Sequence, residues 1–236
     1  MFAKMKYLVL VLPILCVAIA LGWTPRPRVN NHAEFFSSVI QETIYDLEKI
    51  GFSTLRLVNV TQNIDMQMHK WHINGTAVYT NGFLVSIQKI DVTTMNQGIN
   101  NVNNSGVITH RAWVSGVLNL RDAKLGYDVH FTPVNSSQTM HYTGDFTHSL
   151  ISFTIFVHKN LTTNEITATT SGVSTSGGLV RMVYRPTSNI TEVLSREFRP
   201  FHNYDGVVSW SQKLLPMIVE TVKNKIPFPT VCFSHC

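Results

Sequence analysis

Ile108 to Phe131 reads ITHRAWVSGVLNLRDAKLGYDVHF, and the alternation inside it decides the fold. Ile108, Ala112, Val114, Gly116, Leu118 and Leu120 fall on one side, the period of a strand with one face turned to a core. After Arg121-Asp122 the parity switches, and Ala123, Leu125, Tyr127, Val129 and Phe131 alternate against Lys124, Asp128 and His130. A chain reversal at Arg121-Asp122 would account for the switch, so the stretch is expected to be a hairpin of two long strands.

The same period extends in both directions. Upstream, His69, Trp71, Ile73, Gly75, Ala77 and Tyr79 alternate with Lys70, His72, Asn74, Thr76 and Thr80. Asn81-Gly82 reads as a tight turn into Phe83, Val85 and Ile87, after which Ile90 and Val92 continue with opposite parity and imply a bulge near Gln88. Downstream, strands are expected at 140–146, 151–157, 166–172 and 179–184. Helical periodicity flanks this β region. Asn31 and Glu34 have the spacing of a capping box, Phe36, Val39, Ile40, Thr43, Ile44 and Leu47 form one apolar stripe, and Gly51 is a stop signal. A second long helix is expected over 204–225, with Val207, Val208, Leu214, Leu215, Ile218, Val222 and Ile226 on its apolar side and a kink at Pro216. The fold class is therefore α+β: a long antiparallel sheet between two long amphipathic helices. Their apolar faces need a common partner, and the economical solution rolls the sheet around them.

Composition bounds the setting. The 236 residues are 44% hydrophobic and 14% charged, and no basic cluster accompanies the formal charge of +5, so no nucleic-acid partner is expected. Lys4 and Lys6 precede a 15-residue apolar stretch from Tyr7 to Leu21, too short for a permanent span, and 1–22 is read as a signal peptide. Residues 23–30 form a Pro/Arg linker, 31–226 the folded domain and 227–236 a Pro- and Cys-containing tail. Six Asn-X-Ser/Thr sites occur, at Asn59, Asn74, Asn103, Asn135, Asn160 and Asn189, where composition alone yields about three. The expectation is a secreted, extracellular glycoprotein. Beyond the signal only Cys232 and Cys236 remain. A short local bridge between them is the leading reading, with an intermolecular disulfide or a metal site using His235 as alternatives.

From Asn31 to Ile226 the order of helix, long strands and helix resembles the group 7 mite allergens. It is more distantly similar to the takeout, juvenile-hormone-binding and bactericidal/permeability-increasing proteins of the TULIP superfamily. The resemblance is carried by the strand, Asn81-Gly82 and strand after the first helix, and by Leu125-Gly126-Tyr127-Asp128-Val129 leading through Phe153-Thr154-Ile155. It implies a curved sheet rolled around a long helix, enclosing an apolar groove or tunnel that holds a lipid or another elongated hydrophobic ligand. Takeout-type proteins carry a disulfide near the start of the mature chain; no cysteine lies between Cys16 and Cys232, which favours the allergen-like branch. Candidate ligand-binding residues, none of them charged, are Phe36, Ile40, Ile44, Leu47, Phe83, Val85, Ile87, Leu125, Tyr127, Val129, Ile155, Leu215, Ile218 and Val222. The same residues also suit a filled core.

Catalysis is not expected. Gly172 to Gly177 lacks the spacing of a nucleophile elbow, no phosphate loop or dinucleotide fingerprint is present, and no cofactor or metal is called for. Strand parity puts His69 and His72 on opposite faces. His130, His141, His148 and His158 are expected to be solvated, with no carboxylate partner identified. The alternative to a carrier is a surface-interaction protein that engages a membrane, a bacterial lipid or a host protein through an exposed tip or patch.

Overall fold

Backbone register joins the short strands read from the sequence into much longer ribbons. The computed structural model describes residues 27–52, 55–68, 70–104, 107–177 and 181–233; the signal segment, His69 and Cys236 lie outside them, and with Cys236 the proposed bridge to Cys232. The elements in chain order are β1 (Arg28–Val29), α1 (His32–Lys49), β2 (Val60–Met68), β3 (Trp71–Ser86), β4 (Lys89–Asn104), β5 (Val107–Pro133), β6 (Met140–Asn160), β7 (Ile166–Ser176) and β8 (Val183–Arg185). They are followed by α2 (Asn189–Glu197), a 3-10 turn (Pro200–Asn203), α3 (Tyr204–Ser209), α4 (Ser211–Asn224) and β9 (Val231–Cys232).

One antiparallel meander contains β2 to β8. β3 and β4 run end to end along the same neighbour, since Ser86 pairs with Lys124 and Lys89 with Arg121. β7 and β8 do the same along β6. β5 alone has 27 residues, about 90 Å of strand if straight.

Two expected chain reversals are therefore corrected. Arg121-Asp122 is not a hairpin turn: β5 runs straight through it, and Asp122 takes a left-handed conformation (φ 49°) that resets parity, so Leu120 and Ala123 are both buried. Asn81-Gly82 is likewise a bulge inside β3, where Asn81 (φ 52°) and Gly82 together stand opposite Tyr127. A β-carbon at Gly82 would lie 2.5 Å from the Tyr127 ring, so only glycine fits there. The irregularity expected near Gln88 is present between β3 and β4.

These resets align. The β3/β4 junction, Asp122 of β5 and Ser149 of β6 lie at one level of the sheet, because Arg121 pairs with Leu150 and Ala123 with His148. In β6 the buried set changes there from Tyr142, Phe146 and His148 to Ile151, Phe153, Ile155 and Val157. The level divides the sheet into two halves. α1 and α4 cover the half made by β4, the first part of β5, the second part of β6, and β7. The other half, made by β2, β3, β8 and the remaining parts of β5 and β6, is covered by α2 and irregular chain.

α1 follows its periodicity: Phe36, Val39, Ile40, Thr43, Ile44 and Leu47 are all buried, and Gly51 (φ 61°) ends the helix. Its 18 residues span about 27 Å. The expected capping box is absent, because Asn31 is left-handed and its side chain caps nothing. The expected single helix over 204–225 is interrupted at Trp210, six residues before Pro216, which lies inside α4. Serine hydroxyls compete for backbone carbonyls there, Ser209 donating to Gly206 O (2.6 Å) and Ser211 to Val208 O (2.8 Å). The Trp210 indole is held by its bond to Arg56 O (2.9 Å). Two long helices are thus reduced to one of 18 residues and one of 14. The linker and tail meet as a small second sheet, Arg28–Val29 against Val231–Cys232.

Candidate functional site

The candidate ligand residues divide into three groups. Phe36, Ile40, Ile44, Leu47, Leu125, Tyr127, Val129, Ile155, Ile218 and Val222 are buried, while Ile87 and Leu215 are half-buried. Phe83 and Val85 sit on the outer face, about 45% exposed, packed over Gly126; the Asn81-Gly82 bulge makes Leu84 the buried residue of that stretch instead. At Phe36 helix and sheet are in direct contact: the ring rests on Gly116, where a β-carbon would stand only 2.5 Å from a ring carbon.

An open groove survives at the seam between α1 and the edge strand β4. Among the described residues β4 pairs only with β5, and α1 packs beside it. The groove measures about 840 Å³ and is lined by α1 from Ser37 to Glu48 and by Ile87 to Val92. Three turns of helix contribute Ile40, Ile44 and Tyr45, and the strand contributes Ile87, Ile90 and Val92. Polar groups occupy the rim. Arg121 donates to Asp91 (2.9 Å) and holds its carboxyl below the usual range, and Lys89 stands 3.8 Å from the same oxygen. Lys225, directly after α4, bonds both Glu42 (2.7 Å) and Asp46 (2.7 Å) of α1, which depresses the Asp46 carboxyl and raises the lysine. This clamp ties the end of α4 to α1. Ile90 and Val92 escape a reading that follows the parity of Phe83 and Val85; the switch near Gln88 is the sequence signal that points to them.

The other half carries a different chemistry. Tyr79, Tyr127 and Phe198 pack edge-on or tilted, and Tyr79 Oη lies 3.0 Å from Tyr184 Oη. Burial pushes the Tyr79 phenol up to about 12 and raises those of Tyr127 and Tyr184 further. Tyr127 Oη has no hydrogen-bond partner among the described residues. His148, expected to be solvated, is fully buried, with Nε2 2.7 Å from Asn203 Oδ1. Desolvation lowers its pKa, and the bond to Asn203 opposes that shift. The remaining histidines do not converge: His130 Nδ1 meets His141 Nδ1 at 2.8 Å on the outer face, and His72 pairs with Asp65 at 2.6 Å. Among the described residues no three His, Cys, Asp or Glu side chains form a metal-binding group. Gly172 to Gly177 lies along and just beyond strand β7, whose residues are exposed or half-buried.

No family model matches the chain, and no curated protein matches it. Among solved structures it is similar to one titled as a lipopolysaccharide binding protein, over 84% of this chain and 40% of that one, at 10% identity and a TM-score of 0.44. The chain thus spans less than half the length of that protein, and these values assign it to no family.

Proposed function

We propose that the chain is a secreted, non-catalytic glycoprotein that binds an elongated hydrophobic ligand in the seam between α1 and β4. The carrying observation is the groove itself: Ile40, Ile44, Ile87, Ile90 and Val92 line a volume of about 840 Å³ together with polar and charged residues of α1 and β4. Small-molecule sites typically occupy about 300–1,000 Å³. Burial of an alkyl chain releases about 0.8 kcal/mol per methylene, so a dozen methylenes sustain micromolar affinity after association costs. A strand edge beside a helix suits such a ligand, since its tail lies along the seam while a polar end meets Lys89 and Asp91 at the rim. This relocates the site expected from sequence from the interior to the seam, and only Ile40, Ile44 and Ile87 of the original set line it.

The test is uptake of a fluorescent long-chain fatty acid by protein purified from a eukaryotic secretory host. Ile90→Glu puts a charge in the floor and is expected to weaken uptake by about tenfold or more. Phe83→Glu, on the outer face, is expected to leave it unchanged, with circular dichroism checking the fold of both. Absence of uptake by the wild type, or equal uptake by Ile90→Glu, overturns the assignment.

A further inference from the structure

At the far end of the sheet from the helix pair, a second open groove of about 580 Å³ has an apolar floor of Trp71, Ile73, Phe131, Pro133, Val134 and Ile190. Trp71 is 47% and Val134 66% exposed. Three of the groove's other lining residues are Asn74, Asn135 and Asn189, each the first residue of an Asn-X-Ser/Thr triplet and each exposed. They come from separate places in the chain: β3, the turn after β5 and the first residue of α2. Register brings them together, because Gly75 pairs with Pro133 and Val134 donates its N-H to Asn74 O (3.0 Å). Of the five sequon asparagines with described side chains, only Asn59 and Asn160 lie elsewhere.

We infer that N-linked glycans on Asn74, Asn135 and Asn189 roof this groove, their first sugars lying on its apolar floor; the inference rests on the secreted reading above. In the modification each Asn Nδ2 attacks C1 of a lipid-linked oligosaccharide pyrophosphate. A C-N bond forms, the C1-O bond to pyrophosphate breaks, and the amide gives up one proton. The site favours sugar over a protein or membrane partner for two reasons. Three attachment points surround one opening, so a bulky hydrophilic chain leaves from every side. The groove lining also includes no Lys, Arg, Asp or Glu; its histidine, His72, is paired with Asp65, and the neighbouring Lys70 is engaged over the Trp71 ring, 5.6 Å from its centroid. Sugar rings have an apolar face that matches the exposed Trp71 ring, and covering it removes a patch that would drive association in a protein with few charges.

The test uses the full chain secreted from a eukaryotic host. Site occupancy is read by glycopeptide mass spectrometry after enzymatic release in heavy-oxygen water, and exposed apolar surface by fluorescence of an anilinonaphthalene sulfonate dye. Occupancy is expected at all three sites. The N74Q/N135Q/N189Q variant is expected to raise dye fluorescence about twofold or more and to self-associate in sedimentation, while N59Q does neither. Enzymatic trimming of the folded wild-type glycoprotein gives the same readout if the triple variant fails to fold. Glycan on Asn59 or Asn160 with these three sites empty overturns the inference but leaves secretion standing, as does full occupancy with unchanged dye binding after trimming. A chain retained in the cell with every sequon unmodified overturns both.

Discussion

The core of the helix-covered half is mostly aliphatic, with Phe36 and Phe153 among it, whereas the other half adds a cluster of tyrosines, phenylalanines and polar side chains to its aliphatic residues. Under α1 and α4 the core is Phe36, Val39, Ile40, Leu47, Val114, Leu118, Ile151, Phe153, Ile155, Val157, Ile218 and Val222, and inside it Thr43 Oγ1 meets Thr221 Oγ1 across the helices at 3.3 Å. Beyond the parity-reset level, Tyr79, Tyr127, Tyr184, Phe146, Phe198, His148 and Asn203 join Ile64, Leu84, Leu125 and Val129. The cover explains the contrast. A helix satisfies its own backbone, so an apolar stripe is all it needs to present. Irregular chain carries carbonyls that need donors, and it receives them from Trp210 to Arg56 O (2.9 Å), Ser195 to Met182 O (2.6 Å) and Gln62 to Glu197 O (3.3 Å).

If packing against the helix is what holds the first half, then Gly116→Val should be the most damaging single change, because the branched side chain collides with the Phe36 ring. A loss of about 3 kcal/mol in chemical denaturation is expected; a loss below about 1 kcal/mol would show that α1 does not press on the sheet.

The polar half should supply the acid sensitivity. Burial keeps folded His148 below its ordinary value, so the unfolded chain takes up the proton first. Its contribution is complete above about pH 6.5 and is lost as pH falls towards the folded value, at up to about 1.4 kcal/mol per pH unit. His148→Gln should flatten the stability profile between about pH 6.5 and 5. His158 and His202, also lowered by burial, retain their own share, and an unchanged slope would remove His148 from the account.

The two tyrosines sharpen the contrast within that half. Tyr79→Phe strands the Tyr184 hydroxyl and should cost about 1 kcal/mol, whereas Tyr127→Phe deletes an unpartnered buried hydroxyl and should be neutral or slightly stabilising. Equal costs in equilibrium denaturation would contradict the hydrogen-bond assignment. The smallest effect belongs to the exposed helix clamp: Lys225→Ala should lower the thermal midpoint slightly at low salt and not at all at high salt.

Much of this was legible in the chain. The apolar stripe of α1, its glycine stop, the alternating faces and the changes of parity were all visible, and each parity change falls where the structure has an irregularity. What those changes meant was not legible. A one-residue left-handed bulge and a two-residue hairpin turn leave the same trace in a hydrophobic pattern, since both shift the apolar set by one position. Phe83 and Val85 were misplaced because the odd parity of Tyr79 was carried across Asn81-Gly82, although either a bulge or a turn there brings Leu84 to the buried face, and Ile90 and Val92 were overlooked as groove residues. α2 went unread because its capping box of Ser188 and Thr191 departs from the usual acidic partner. His148 looked like a surface histidine because only the 3-10 turn, far along the chain, buries it.

The sequence by itself determined which side chains are apolar, which local periods they follow and where those periods break, because these are properties of neighbours along the chain. Tertiary structure alone decided that the breaks are bulges in long ribbons, that Phe36 of α1 presses on Gly116 while the seam beside β4 stays open, and that three distant asparagines surround one groove. Those outcomes depend on register between strands and on how closely a helix approaches a glycine. Both are set by contacts between residues far apart in the chain, which no local pattern encodes.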